Sequence, residues 1–455
     1  MSLIVRSRRV VLPTGVRPAA VHTRSGRIVA IHEYDDAPAG VPDLDAGSNV
    51  VLPGLVDTHV HINDPGRAEW EGFEHATRAA AAGGVTTLVD MPLNSIPSTT
   101  SVEGLEEKRA AAQGRCHVDV GFWGGVVPGN AAGLAPLAAG GVLGFKCFMC
   151  PSGVDEFRHV GESDLRAALP ILAALDLPLL AHAELPALLR NPTASTDRET
   201  ADPRRYSTWL DSRPDASEQA AIEMLVRLAV EYAARIHIVH LASAAALPEI
   251  RAARAAGVAL SVETCPHYLT FAAEDIGDGA TAFKCAPPIR SRRNRARLWE
   301  GLIAGDIDLV ATDHSPAPPA LKHLDDGDFL SAWGGVASLQ LGLSIVWTGA
   351  AERRIPLERL AEWLAERPAK LAGLATKGAI VVGRDADLVV WDPDAEWVVD
   401  ARTLQHRHPV TPYDGRRVRG RVLTTILRGE TVFDRGAFAS VPTGTTLRRS
   451  SEPEP

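Results

Sequence analysis

The sequence is poor in cysteine and aromatic residues and contains no long apolar run. The chain has five cysteines in 455 residues, which are too sparse and odd in number for a disulfide framework. We therefore expect a cytoplasmic protein with reduced thiols. No apolar stretch approaches the ~20 residues of a membrane span. The first residues lack the apolar core of a signal peptide, so we expect no leader.

Basic charge is also scarce. The chain has 47 Lys and Arg against 56 Asp and Glu, a formal net charge of −9, which argues against a nucleic-acid-binding surface. Hydrophobic residues make up 45% of the chain, and 39 Gly and 32 Pro indicate many loops. This length and composition suit a large α/β core, or a barrel with an additional domain.

The two ends of the chain have β patterns that need each other. Residues 1–50 contain short β segments at 3–5, 10–12, 19–22 and 27–32, with too few apolar residues for a separate core. Residues 377–391 resemble a β-hairpin, and further strands are predicted at 418–427 and 431–433. We therefore predict one small β-sandwich domain from residues 1–50 and 376–440. Residues 441–455 are expected to form a disordered tail.

Between these ends, strands alternate with helices. One alanine-rich helix is predicted to end at Gly83-Gly84. A second is predicted over 164–175 with Ser163 as N-cap, and a third over 218–234. Together with the strands, this rhythm indicates an α/β protein whose residues 51–375 form a (β/α)₈ TIM-like barrel. The eight predicted strands are 54–61, 85–90, 118–122, 144–148, 177–181, 236–239, 258–263 and 308–312.

Polar residues lie at or near the C-terminal ends of five of these strands, where barrels of this type build their active sites. His59 and His61 are two residues apart on a strand, so both imidazoles point to one side. Hydrogen bonding at a strand end would explain this pair, but the later residues favour a metal site. The candidate ligands are His59, His61, Lys146, His182, His240 and Asp313.

Lys146 is unusual in such a set because a protonated ammonium would repel cations. It could be an ordinary lysine that extends from a strand edge to water. Alternatively, its neutral amine could react with CO₂ to give an anionic carbamate, N6-carboxylysine, able to bridge two metal ions.

The stretch Gly54-Leu55-Val56-Asp57-Thr58-His59-Val60-His61, the lysine strand, the two later histidines and Thr312-Asp313-His314 resemble the amidohydrolase superfamily. More narrowly, they resemble its cyclic amidases, which include dihydroorotases, hydantoinases or dihydropyrimidinases, and allantoinases. The resemblance implies a binuclear metal centre. Its ligands would be a carboxylated Lys146, the four histidines His59, His61, His182 and His240, and Asp313 as both ligand and general base.

Other stretches discriminate within this group. Dihydroorotases typically carry an arginine two residues after the second histidine, where this chain has Asn63. Five stretches instead resemble allantoinases, and by the same resemblance Cys285, Ser315 and Trp333 are expected to contact the substrate. Cys285 could equally be a buried filler and Trp333 a core residue. The five stretches are residues 64–72, 91–94, 284–290, 313–316 and 332–335.

The implied reaction is hydrolysis of the cyclic amide of allantoin to allantoate, in purine degradation. A metal-bridging hydroxide would be the nucleophile, and Asp313 would pass its proton to the leaving nitrogen. Zinc is the default metal, with iron, cobalt or manganese as alternatives. A hydantoinase or dihydropyrimidinase would share the ligands and differ in loops, while a catalytically dead scaffold would lack them. Relatives of this type suggest a homotetramer.

Two further features carry less weight. Cys147 and Cys150 form a C-x-x-C without a second pair, which makes a zinc knuckle or redox centre improbable. His267 follows the seventh strand, where it could support the ligands. A hydrogen-bonded structural histidine is the favoured reading of this position.

Overall fold

The computed structural model describes residues 2–190 and 202–449, and eight parallel strands organise its central part. The predicted (β/α)₈ barrel is confirmed, with strand bounds that differ from the predicted ones by a few residues. The barrel strands are Leu55–Val60, Val85–Asp90, Asp119–Phe122 with its continuation Gly124–Gly125, Phe145–Phe148, Leu179–His182, Ile236–Ile238, Leu260–Thr264 and Leu309–Val310.

The eight strands form two parallel sheets that meet at both edges. The first three strands make one sheet, and Gly124–Gly125 leads into the other. At the opposite edge, Val60 forms a parallel bridge with His314, and the His61 amide donates to the His314 carbonyl at 2.8 Å. The first and eighth strands are therefore neighbours, which brings the residues that follow them to one end of the barrel.

The eighth strand is shorter than predicted. Asp57 on the first strand accepts hydrogen bonds from the amide and the hydroxyl of Thr312, the amide at 3.3 Å. Immediately afterwards the backbone enters the left-handed region at Asp313, with φ of 46°. The hydrogen-bonded strand therefore ends at Val310, before the predicted limit, because at Thr312 the side chain of Asp57 takes the place of a backbone partner.

Helices cover the outside of the barrel. The first is rich in alanine, lies against the strands and ends at Gly83-Gly84 as predicted. The helix predicted from 164 begins earlier, at Glu162, and its N-cap is Gly161 rather than Ser163, because the Gly161 amide donates to Asp164 at 3.0 Å. The helices are Phe73–Ala82, Val102–Ala112, Leu134–Ala139, Glu162–Ala174, Tyr206–Ser212, Asp215–Tyr232, Leu247–Ala255, Pro266–Thr270, Arg292–Ala304, Gly342–Glu352, Leu357–Ala361 and Arg367–Leu371.

Both chain ends contribute to one nine-stranded sheet beside the barrel. The short strand Val50–Pro53 connects the part of the sheet from the N-terminal end with the part from the C-terminal end. It pairs in parallel with Ser2–Leu12 and antiparallel with Leu388–Val398. Residues from both parts, including Val5, Val21, Leu388 and Ile426, pack into one apolar cluster. The strands are Ser2–Leu12, Gly15–Arg24, Arg27–His32, Asp43–Asp45, Val50–Pro53, Leu388–Val398, Arg417–Leu427, Glu430–Asp434 and Ala437–Phe438.

Residues 441–449 differ from the disordered tail predicted for 441–455. Residues 444–447 run beside the third barrel strand, where the Gly444 amide donates to the Cys116 carbonyl at 2.9 Å and the Leu447 amide to Val120 at 2.8 Å. The Thr445 amide also donates to the buried carboxylate of Asp119 at 2.9 Å. Composition alone suggested disorder, but these backbone partners order the segment up to residue 449. Residues 450–455 lie outside the described part of the chain.

Within the described ranges, no helix combines the length and the apolar character that a membrane crossing requires.

Candidate metal centre and active site

Barrel strands one, five, six and eight deliver four histidines and an aspartate to one cavity of about 310 Å³. Because parallel strands end at the same side of the barrel, side chains far apart in sequence meet there. The cavity lining includes His59, His61, His182, His240 and Asp313.

His59, His61 and Asp313 form the tighter half of the site. Nε2 of His59 lies 3.2 Å from Oδ1 of Asp313, and Nε2 of His61 lies 3.5 Å from the same oxygen. Burial would raise the pKa of Asp313, but the three imidazoles around it outweigh burial and hold that pKa well below its ordinary value. Asp313 is therefore an ionised carboxylate at neutral pH.

His182 and His240 form the other half, with ring centroids 4.6 Å apart. The His240 ring also lies 5.3 Å from that of His59, so the two halves are adjacent. Burial lowers the pKa of His182 to about 4 and that of His240 well below its ordinary value. Both rings are neutral at pH 7, which is the form that binds metal ions.

Lys146 lies beneath this group on the fourth strand and is completely buried. Its Nζ is 4.9 Å from the centroid of the Phe148 ring and makes no hydrogen bond within the described residues. Burial lowers the pKa of its amine to about 8, against the opposing attraction of Glu263 and Asp313. This surrounding excludes the alternative of a lysine that reaches water.

Two buried glutamates orient the histidines, and neither is among the predicted site residues. Glu263 accepts a hydrogen bond from Nδ1 of His59, which turns Nε2 toward Asp313. Glu184 lies 2.6 Å from Nε2 of His182, which leaves Nδ1 of that ring available. Glu184 follows His182 by two residues, as His61 follows His59, and that spacing was the available signal.

The backbone at two of these positions is strained. His240 and Asp313 have φ values of 40° and 46°, in the left-handed region that residues with a Cβ rarely adopt. Such conformations cost of the order of 1–3 kcal/mol each and persist where the surrounding structure enforces them. Here both occur at the mouth of the barrel, where they turn the side chains into the cavity.

The cavity wall also contains the three residues predicted to contact substrate. Cys285 and Ser315 are buried, and the Ser315 hydroxyl donates to the Asp313 carbonyl at 2.7 Å and lies 3.2 Å from its Oδ1. Trp333 packs edge-on against Trp70, with ring centroids 4.8 Å apart. Cavity residues absent from the predicted set include Asn94, Phe148, Trp209, Arg213 and Lys284.

The C-x-x-C cysteines and His267 are all buried. Cys147 and Cys150 are buried thiols without a disulfide, and burial raises the pKa of each to about 12. His267 is buried beside Cys265 and Asp313. Neither of its ring nitrogens is hydrogen-bonded within residues 2–190 and 202–449, so the hydrogen-bonded structural role favoured for it was wrong.

The donor set fits divalent metal ions. One ligand atom each from His59, His61 and Asp313 lies within 4.8 Å of the other two. Nδ1 of His240 and Nζ of Lys146 are buried polar atoms for which the described residues provide no hydrogen-bond partner. Buried polar atoms are nearly always satisfied, so these unpaired atoms are consistent with a bound ion. Neutral imidazole and carboxylate suit zinc and similar ions.

Comparisons with known proteins agree with this geometry. Residues 50–432 match the model of the amidohydrolase family. The chain is 50% identical to the allantoinase of Streptomyces avermitilis over 99% of both chains. It is 47% identical to that of Arabidopsis thaliana over 96% of this chain and 89% of the relative.

Solved structures show the same fold. The L-hydantoinase (dihydropyrimidinase) of Arthrobacter aurescens superposes with a TM-score of 0.92, at 31% identity over 98% of this chain and 99% of that one. The dihydropyrimidinase of Brevibacillus agri superposes with a TM-score of 0.90, at 27% identity over the whole of both chains. The identity to the two allantoinases is higher than to either structure. This chain therefore belongs to the amidohydrolase family, in the group of the allantoinases.

Proposed function

We propose that the protein hydrolyses the cyclic amide of allantoin to allantoate, as a step of purine degradation. The observation that carries the proposal is the cluster of His59, His61 and Asp313 at the mouth of the barrel. It occurs in a chain that is 50% identical, over nearly its full length, to an allantoinase. The substrate is a small molecule, and a cavity of about 310 Å³ has a suitable size for it.

We propose two divalent metal ions, zinc by default, as the cofactors. His59, His61 and Asp313 would hold one ion, and His182 and His240 the other. Bound ions of this kind lower the pKa of coordinated water and polarise a carbonyl group. Iron, cobalt and manganese suit the same ligands.

Lys146 is proposed to carry a carboxyl group and to bridge the two ions. Its buried Nζ has no hydrogen-bond partner in the described structure, and the lowered pKa of about 8 makes the neutral amine accessible near physiological pH. The neutral amine is the form that attacks CO₂; a C–N bond forms and one N–H proton is released to solvent. The resulting carbamate is anionic, which suits a position among cations.

Asp313 is proposed as the general base. Oδ1 of Asp313 faces His59 and His61 and lies near the Ser315 hydroxyl. These contacts hold the carboxylate in place, and none of them involves Oδ2. Oδ2 would take a proton from the attacking water and deliver it to the ring nitrogen that leaves. The lowered pKa of Asp313 keeps it ionised and ready to accept that proton.

Other parts of the proposal rest on cavity position, composition and resemblance. Cys285, Ser315 and Trp333 line the cavity and would contact substrate. The β-sandwich of residues 1–50 and 376–440 and the barrel of residues 51–375 would be separate domains.

We also propose a cytoplasmic homotetramer. Five buried thiols without disulfides support a reducing compartment, and light scattering of the purified protein tests the tetramer.

A substrate panel tests the function. Hydantoinase or dihydropyrimidinase activity is the second candidate, favoured by the TM-score of 0.92 to the L-hydantoinase structure. Purified, metal-loaded protein should be assayed on allantoin, 5-substituted hydantoins, dihydrouracil and dihydroorotate. We expect the highest kcat/KM with allantoin. A higher value with a 5-alkyl hydantoin or dihydrouracil would replace the proposed substrate.

A further inference from the structure

Arg213 occupies a position in the cavity wall that the metal centre does not explain. It follows the helix Tyr206–Ser212, and its guanidinium is largely buried, with 13% of the side chain exposed. It lines the same cavity as His182 and Asp313. A mostly buried arginine in a substrate cavity needs both a charge partner and a reason to face the cavity.

The charge partner is Glu184, and the pairing fixes the plane of the guanidinium. Nε of Arg213 lies 3.0 Å and 3.2 Å from the two carboxylate oxygens, and Nη2 also donates to this carboxylate. Nη2 additionally contacts Cys150 Sγ at 3.4 Å. The Arg213 carbonyl accepts from Arg290 at 3.2 Å, which anchors the backbone.

These contacts use one edge of the guanidinium. The hydrogen bonds within the described part of the chain involve Nε and Nη2 of Arg213 and none involves Nη1. A guanidinium presents five N–H donors in a rigid planar fork. With one edge fixed on Glu184, the donors on Nη1 remain for a molecule in the cavity.

The neighbouring cation, Lys284, is bound mainly to the protein's own backbone. Nζ of Lys284 lies 4.3 Å from the centroid of the Trp209 ring, and the Arg213 guanidinium lies 5.2 Å from the same ring. The ammonium of Lys284, however, donates to the backbone carbonyls of Leu330 and Ala332. These bonds hold the loop that carries Trp333, whereas Nη1 of Arg213, a residue of the cavity wall, makes no hydrogen bond within the described residues.

The charge balance indicates the kind of acceptor. Arg213 and Glu184 form a pair with no net charge, so the pair attracts an anion less than an unpaired arginine would. An uncharged oxygen with a strong dipole, such as a urea carbonyl, suits a single N–H arm of a neutral pair. A hydantoin ring without a side group would leave this donor without an acceptor.

We propose that Arg213 is a specificity-determining residue, whose Nη1 donates to the carbonyl oxygen of the ureido group on the substrate ring. This inference rests on the proposed function and deepens it. Allantoin carries the ureido group, and hydantoin is the same ring without it. A hydrogen bond from a charged donor can change binding roughly 10–100-fold, and an unpaired buried donor penalises the analogue that lacks the acceptor.

The test compares allantoin and hydantoin on the wild-type enzyme and on Arg213→Lys. Lysine keeps a positive charge beside Glu184 but lacks the Nη1 arm. Hydantoin is measured as a substrate and, where turnover is too slow, as a competitive inhibitor of allantoin hydrolysis. Arg227→Lys is the matched control, since the Arg227 side chain is 51% exposed and pairs with Glu162 at the surface. Metal content is measured for every variant, because Glu184 also contacts His182.

We expect Arg213→Lys to lower kcat/KM for allantoin roughly 10–100-fold. For hydantoin, kcat/KM or the inhibition constant should stay within about threefold of the wild-type value. The control should change neither. Equal losses for the two substrates, or no loss for allantoin, would overturn the inference. If hydantoin is neither hydrolysed nor inhibitory at a measurable level, the allantoin data alone decide. The loss of kcat/KM for allantoin must then occur at unchanged metal content, and a loss that parallels metal content would overturn the inference. A metal-loaded wild type that does not hydrolyse allantoin would instead refute the proposed function.

Discussion

Glu263 and His59 are joined by a buried hydrogen bond between a carboxylate oxygen and Nδ1 of the ring. The other oxygen of Glu263 lies 3.1 Å from Nε2 of His237, and the His240 amide donates to the first at 3.2 Å. Burial would raise the pKa of Glu263, but the charges and hydrogen bonds of the two histidines hold it at about 2. One carboxylate therefore sets the orientation of His59 and the backbone position of His240.

Glu263→Gln should weaken metal binding. The amide cannot accept from the His59 ring as strongly, and loss of such a supporting partner typically costs 10–100-fold in metal affinity. Competition with a zinc chelator measures this change, with Glu231→Gln as the matched control, since the exposed Glu231 pairs with Arg166 at the surface. An unchanged affinity would show that Glu263 does not orient the ligands.

Asp313→Asn should abolish most turnover while the protein stays folded. The substitution keeps the size of the side chain but removes the general base, which typically accounts for ~10²–10⁴ in rate. Steady-state assays with allantoin at measured metal content test this expectation, and thermal unfolding provides the control for folding. Near-normal kcat would mean that another group moves the proton.

Lys146→Ala should lose metal and activity together. Wild-type protein purified without chelator is expected to hold close to two divalent ions per chain, and the variant far less, because the bridging carboxyl group is gone. Elemental analysis gives both values. Acetate or propionate, with metal supplied, should restore part of the activity by occupying the vacated space.

A lysine acting without carboxylation would behave differently. Metal content would then survive Lys146→Ala, and amines rather than carboxylates would rescue turnover. That pattern would contradict the bridging role. Lys108→Ala is a useful comparison, because Lys108 is also buried but pairs with Asp90 at 2.6 Å, outside the candidate ligand set.

Glu184 should contribute a stability that disappears in acid. Burial opposes its ionisation, but the attraction of Arg213 and the hydrogen bond from His182 lower its pKa to about 2, from an ordinary value of 4.5. The ionised form is thus favoured by folding. Its contribution, of the order of 3 kcal/mol at 1.36 kcal/mol per pKa unit, is complete above pH 4.5 and is lost as the pH falls from 4.5 toward about 2.

Denaturant unfolding of metal-free wild type and Glu184→Gln at pH 7, 5, 4 and 3 tests this. The wild type should be more stable at pH 7 and 5, and the difference should shrink at pH 4 and 3. Using metal-free protein removes the effect of ligand release. A difference that stays constant from pH 7 to pH 3 would show that the Glu184 carboxylate gains nothing from folding.

Much of the barrel could be predicted because its strands are apolar runs that end in polar residues. The pattern at His59 and His61 specified both the strand and its end. The eighth strand was predicted too long, since the side chain of Asp57 ends it through Thr312. Such a contact between residues more than 250 positions apart has no local sequence signal.

The site was less predictable than its candidate ligands. Glu263 and Glu184 are buried acids whose role depends on which imidazole nitrogen they face, and only three-dimensional packing decides that. Arg213 lies in a stretch with no motif, and its cavity position depends on the pairing with Glu184. Residues 441–449 were wrongly predicted to be disordered, because the backbone of residues 445–447 bonds to the distant strand Asp119–Phe122 rather than to its neighbours in sequence.

The sheet that both chain ends share has a consequence for synthesis on the ribosome. Arg27 donates to the carbonyl of Gly383, which lies 356 residues later in the chain. At translation rates of about 5–20 residues per second, the second of these residues emerges roughly 20–70 s after the first. During that interval the early strands of the sheet are exposed without their later neighbours, so they are the part of the nascent chain that chaperones would be expected to cover.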